Sequence, residues 1–179
     1  MPAREVHVVG EMVRAETTTA VLNNMSLGIN SVMVDAAPFG ATSRKREFFS
    51  TIPLADAILH EDRGPQTVDA CVQEVHPGGT FETIPVGRSD GKLGTIKASR
   101  PPNAKKRCIA TGVVEPIGIE VMERVMGFPL GYTAAAGVSA EARERMLGNS
   151  IQVYVLRHLL RPLIRDGMVP MVTAAVASP

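Results

Sequence analysis

Tryptophan is absent from this 179-residue chain, and aromatic residues together make up only 4% of it. A core built on stacked rings is thereby excluded, so aliphatic side chains and the 9 methionines must fill the interior. Cysteine is almost absent too. Cys71 and Cys108 stand far apart and outside any metal-ligand spacing, which argues against a disulfide framework or a metal site. Each reads as a small buried apolar residue, and the low count points to a reducing compartment. No run approaches the roughly 20 apolar residues that a membrane-spanning helix needs. The start, Met1-Pro2-Ala3-Arg4-Glu5, lacks the apolar stretch of a secretion signal. An excess of one charge sign is also missing, since the net charge is +1. That balance names no partner, because a nucleic-acid binder needs only local clusters of basic residues.

What is present suits one domain with a moderate core: the apolar fraction is 45%. Val6 to Val9 is a β-branched run that reads as a buried strand ending at Gly10-Glu11, with an acid at its carboxyl end. A short helix is expected over Glu16 to Met25, a second strand over Asn30 to Ala36, and a third strand at Phe48-Phe49. The charged patch Ser43-Arg44-Lys45-Arg46-Glu47 precedes that third strand, and a short helical turn is expected over Leu54 to His60. From Gly64 the character changes. Pro77-Gly78-Gly79, Asp90-Gly91 and Pro101-Pro102 punctuate an irregular, β-rich stretch, and its basic residues include Arg88, Lys92, Lys97, Arg100 and the run Lys105-Lys106-Arg107.

Order returns at Gly118. Ile119 to Met126 reads as a helix stopped by Gly127-Phe128-Pro129, and Ser139 caps a second over Ser139 to Leu147. Gly148-Asn149-Ser150 breaks the chain before a last helix over Ile151 to Arg165. In that helix Ile151, Val155 and Leu159 share a face that Leu156, Leu160 and Leu163 widen.

The stretch Met122 to Pro162 resembles the last two conserved motifs of DNA cytosine-5 methyltransferases, most closely the animal de novo class. Glu123-Arg124-Val125, Gly127-Phe128-Pro129, Tyr132-Thr133, the end of the helix at Leu147-Gly148 and Arg157-His158-Leu159 follow the family's order. Asn30 to Pro53 is similar to the family's motif with two arginines one residue apart, here Arg44 and Arg46, with Thr42 where the family often has Gln. Gly10-Glu11-Met12-Val13 stands where the family has Glu-Asn-Val, with Met12 in place of the Asn. Gly94-Thr95-Ile96 resembles the Thr-plus-aliphatic mark of the family's target-recognition region. The resemblance runs from about Val6 to about Pro162. Two family features are missing: the Gly-rich loop for S-adenosyl-L-methionine and the Pro-Cys loop that carries the nucleophile. Cys71 follows the arginine motif and lacks the preceding Pro, so it is not expected to be that nucleophile.

The resemblance implies an α/β fold: part of a methyltransferase (Rossmann-like) sheet, largely parallel, with a closing C-terminal helix and a small β-rich target-recognition insert. Its expected divisions are core strands over 1–63, the insert over 64–117 and closing helices over 118–179. It also implies site residues. The family's thiolate adds at carbon 6 of cytosine, which makes carbon 5 nucleophilic. Glu11 would assist at ring nitrogen 3. Arg46 would donate to the exocyclic oxygen of the flipped base, and Arg44 would support it or touch a phosphate. Asn149, Ser150 and Ile151 would line the cofactor pocket at the start of the last helix. Arg88, Lys92, Thr95, Lys105, Lys106 and Arg107 would contact double-stranded DNA.

The expected partner is a second chain that carries the Gly-rich cofactor loop and the catalytic cysteine, and the expected location is intracellular, on DNA. Without that half, strand edges would face water and the isolated protein should self-associate. A split enzyme, a fragment of a longer enzyme and a noncatalytic DNA-binding or regulatory relative all fit the sequence. An unrelated α/β domain is the remaining alternative.

Overall fold

β-Branched and aromatic runs build the first sheet from strands β1 (Val9–Met12), β2 (Asn30–Asp35) and β3 (Lys45–Ser50). The computed structural model describes residues 9–12, 30–51, 59–84, 89–99 and 103–165. The helix expected over 16–25, most of the turn expected over 54–60, and Arg88 and Arg100 lie outside the described residues. The sheet order is β1-β3-β2, and both pairings are antiparallel, not parallel as expected. For β2 and β3 the reason is local. β2 and β3 are joined by a short loop, 36–44, which can return the chain only alongside itself. Asp35 closes this loop: its Oδ1 accepts the Ala37 and Arg44 amides at 3.0 Å, and its Oδ2 accepts the Ser43 hydroxyl.

The stretch after Gly64 holds a helix that its Gly and Pro content concealed. Helix α1 (Val68–Val75) starts at Thr67, whose side chain accepts the Ala70 amide. Val68, Cys71, Val72 and Val75 have helical spacing, and the first three are fully buried. Dense Gly and Pro mark the ends of such a helix and do not exclude it. Then comes the expected β-rich part, a three-stranded antiparallel sheet of β4 (Phe81–Ile84), β5 (Lys105–Cys108) and β6 (Val114–Pro116).

Helix α2 (Gly118–Met126) ends at Gly127, which sits at φ 85°, a left-handed conformation that glycine adopts without a Cβ clash. Ser139 caps α3 (Ala140–Asn149) as expected. The break falls two residues later than the sequence suggests. Helix α3 runs to Asn149, Ser150 is its C-cap, and α4 (Val153–Arg165) begins only after Gln152, whose side chain accepts the Val155 amide at 2.8 Å.

Two apolar clusters hold the elements together. One joins α1, α2 and α3 to Ala41, Leu93 and Ile96, so side chains from all three expected divisions meet in one core. The other packs Val155 and Leu159 of α4 on Phe48 of β3 and on Ala36 and Phe39 of the loop between β2 and β3. Each aliphatic side chain buried in this way contributes about 1.5–3 kcal/mol.

Candidate functional site

Glu11 is the third residue of β1, inside the strand and not beyond its end. Arg44 directly precedes β3 and Arg46 is its second residue, so the two, in extended chain, project to the same side. Both reach one carboxylate oxygen: Arg44 Nε lies 3.4 Å and Arg46 Nε 3.2 Å from Glu11 Oε1. The two arginines differ in their other contacts. Arg44 is 6% exposed, and its Nη1 donates to the carbonyls of Ile96 at 2.9 Å and Gly148 at 3.2 Å. It therefore ties β3 to the 93–99 segment and to α3, and it is not placed as an exposed phosphate contact. Arg46 is more open and donates to the Lys45 carbonyl. Burial and the neighbouring Arg44 hold its proton affinity below the ordinary arginine value, against the pull of Glu11.

The 93–99 segment lies along residues 41–44. Ser43 donates its amide to the Leu93 carbonyl, Leu93 donates to Ala41, and the Thr42 hydroxyl donates to Gly94. Thr95 Oγ1 donates to the Ser43 carbonyl at 3.2 Å. On the other side the segment presses against Gly148. A Cβ at that position would come within 2.2 Å of the Ala98 nitrogen, so only glycine permits the approach. These contacts border an open cavity of about 600 Å³ lined by Glu11, Arg44, Arg46, residues 95–99, Gly148 and Asn149.

The structure thus brings together Glu11, Arg44, Arg46, Thr95 and Asn149 from the sequence-derived set. Others it places elsewhere. Ser150 donates its hydroxyl to the Leu147 carbonyl as the cap of α3, and Ile151 packs on the cluster around Phe39. Lys92 turns inward to the carbonyls of Ala37 and Gly40 at 2.6 and 2.8 Å. Lys106 is 6% exposed and lies over the Phe81 ring, with His76 Nε2 at 2.6 Å and Glu115 at 3.2 Å. Strand alternation is the reason: Lys105 and Arg107 point outward from β5, so Lys106 must point in. Arg107 pairs with Glu82 at 2.8 Å on the surface.

Sequence reasoning did not single out Lys97 and Ser99 as wall residues, although Lys97 stood among the basic residues of the stretch after Gly64. It also left unread a second charged cluster. Glu123 is fully buried, and its carboxylate accepts the Gly131 and Thr133 amides, the Thr133 hydroxyl and Arg143. Burial alone would push this carboxyl up. The bonds from Thr133, Gly131 and Arg143 outweigh it and hold the group below the ordinary carboxylate value. The Glu-Arg-Val and Tyr-Thr motifs are joined by this network.

Among the described residues no cluster of His, Cys, Asp and Glu could hold a metal ion, and no helix is long and apolar enough to cross a membrane.

No protein-family model matches the chain. A 56-residue stretch, 30% of the chain, is 41% identical to the DNA (cytosine-5)-methyltransferase DRM1 of Arabidopsis thaliana and covers 9% of that protein. Among solved structures, the Entamoeba histolytica methyltransferase EhMeth superposes with a TM-score of 0.58 at 13% identity, covering 88% of this chain and 63% of that one. Schizosaccharomyces pombe Dnmt2 gives 0.55 at 16% identity, and a mutant of Spodoptera frugiperda DNMT2 gives 0.61 at 15% identity. Each of these two matches covers 88% of this chain and 66% of the other. The chain therefore has an α/β fold of the Dnmt2 methyltransferase type and spans under two thirds to about two thirds of those structures.

Proposed function

We propose that this chain is one part of a DNA cytosine-5 methyltransferase: the part that binds DNA, holds the flipped cytosine and closes one side of the cofactor pocket. The observation that carries this reading is the convergence of Glu11, Arg44, Arg46, Thr95 and Asn149 on one cavity. At about 600 Å³ it lies within the range of small-ligand pockets, roughly 300–1,000 Å³. The order of motifs over 122–162 supports a reading nearest the animal de novo class, and such a protein would act intracellularly, on DNA.

The chemistry follows from the contacts. Arg46, the more open arginine, would donate to the exocyclic oxygen of the base and stabilise negative charge in the covalent adduct. Glu11 would hydrogen-bond ring nitrogen 3 from the same wall. Arg44 would keep Glu11 and the 93–99 segment in place. The nucleophile is not Cys71, whose thiol is fully buried in α1 and pushed up to about 12 by burial. That thiolate and the Gly-rich cofactor loop would come from a second chain or from another part of a longer protein. S-adenosyl-L-methionine, when bound, supplies the methyl group. Asn149, exposed on the cavity wall, fits one edge of its site, whereas Ser150 and Ile151 are occupied in capping and packing. Lys105 and Arg107 are the outward-facing basic residues of β5 and suit phosphate contact. A module that only bound DNA would have no need of a carboxylate between two arginines inside a cavity.

Methyl transfer to duplex DNA, measured with and without a fragment that carries the Pro-Cys and Gly-rich loops, tests the reading. The chain alone should transfer nothing. With the fragment, Glu11→Gln and Arg46→Ala should each lower the rate ~10²-fold. Robust transfer by the chain alone, abolished by Cys71→Ser, would overturn the assignment.

A further inference from the structure

The cavity carries more positive charge than its proposed guest can explain. Among the described residues that line it, Arg44, Arg46 and Lys97 are cations and Glu11 is the carboxylate, which leaves a surplus of two positive charges. A cytosine ring is neutral, so the base does not balance them. The two phosphodiesters that flank it in a DNA strand, one negative charge each, would.

The three cations are not equivalent. Arg44 and Arg46 are both engaged with Glu11 and with backbone carbonyls. Lys97 is an exposed residue of the cavity lining, and among the described residues its ammonium has no hydrogen bond or ion pair. Its backbone, by contrast, is fixed from both sides. Ile96, just before it, is 1% exposed, and its carbonyl accepts Arg44 Nη1. The peptide between Lys97 and Ala98 lies against Gly148, where a Cβ would meet the Lys97 carbonyl carbon at 2.5 Å. An exposed cationic side chain on an anchored backbone, beside a cavity with a cationic surplus, is an arrangement that meets an anion at a defined place.

We infer that Lys97 binds the phosphodiester group flanking the cytosine whose ring enters the cavity, and so positions the nucleotide for reaction. This rests on the function proposed above and adds to it a residue that acts on the backbone and not on the base. Lysine suits the role because it acts as a point charge, and the phosphate does not have to be held in one fixed orientation.

The test is binding of the full chain to a DNA duplex that holds one cytosine opposite an abasic site. The phosphates flanking that cytosine are natural in one duplex and neutral methylphosphonates in the other. Wild-type binding should fall about fivefold on the methylphosphonate duplex, the scale of one solvent-facing charge contact. Lys97→Met should already bind the natural duplex about fivefold more weakly and lose nothing more on the neutral one, while Lys97→Arg keeps the difference. A second comparison uses the wild-type chain alone, with the cytosine base present or removed at the same position. A retained preference for the base, together with an undiminished methylphosphonate effect in Lys97→Met, would overturn the role of Lys97 alone. No preference for the base would overturn the proposed function and this inference with it.

Discussion

Two clusters in this molecule are made of the same parts, a carboxylate and arginine, and differ in what satisfies them. Around Glu123 both carboxylate oxygens are taken up by the chain's own groups: Gly131 and Thr133 amides, the Thr133 hydroxyl and Arg143. Glu11 instead meets two guanidiniums at longer range, 3.4 and 3.2 Å, beside a cavity with surplus positive charge. The first cluster is closed and ties the α2–α3 loop to both helices. The second is open toward a cavity and has capacity for a guest. A buried ion pair by itself therefore says little about function; the count of satisfied groups and the presence of a cavity decide between scaffold and site.

The comparison can be broken most directly by stability. Glu123→Ala strips four donors of their acceptor and leaves Arg143 only the half-exposed Glu120 at 3.4 Å, so it should cost about 3–5 kcal/mol, read as a lower urea midpoint. Arg46→Ala should change stability by no more than about 1 kcal/mol, because Arg44 remains on Glu11. Equal losses in the two variants would erase the distinction between scaffold and site.

Gly148→Ala comes next. Its Cβ would meet the Ala98 backbone, which cannot step aside as a side chain can, and an expected loss of about 1–3 kcal/mol should be accompanied by weaker DNA binding as the wall shifts. A neutral substitution would mean that the 97–98 backbone does not press on α3.

A smaller effect is the acid limb of stability. The folded-state value of Glu123 is depressed below its ordinary 4.5, so its contribution is present above that value and is lost as pH falls through the folded one. Asp62 behaves in the same direction. Burial would raise it, but the Leu59 amide, His158 and Arg161 together lower it. In Glu123→Gln, the fall of stability with acid below about pH 4.5 should be shallower than in the wild type. An unchanged slope would assign the acid sensitivity to other carboxylates.

The smallest expected effects concern β5. Lys105→Ala and Arg107→Ala should each lower the salt slope of DNA binding by about one, whereas Lys106→Ala should leave that slope alone and lower the melting temperature. A lowered salt slope in Lys106→Ala would show that its ammonium reaches the DNA despite its partners in this fold.

The sequence alone determined those features whose signals lie within a turn of chain. The strand at Asn30–Asp35, the Ser139 cap, the stop at Gly127 and the apolar face of α4 were legible because propensity, capping and periodicity act between residues at most a few positions apart. The motif order also picked out Glu11, Arg44 and Arg46. Tertiary structure decided the rest. Helix α1 was hidden because Gly and Pro at its ends outweighed four apolar residues at helical spacing. Lys106 could not be distinguished from Lys105 and Arg107 until the pairing of β4 with β5 and β6 fixed which face of the strand looks inward. Ser150 read as the start of α4 until Gln152 proved to cap it. Lys97 was one basic residue among several in its stretch, with nothing to single it out. Its place on the same cavity as Glu11 depends on Arg44 reaching 52 residues along the chain to Ile96 and 104 to Gly148, a meeting set by the packing of distant elements and by no property of the residues next to it.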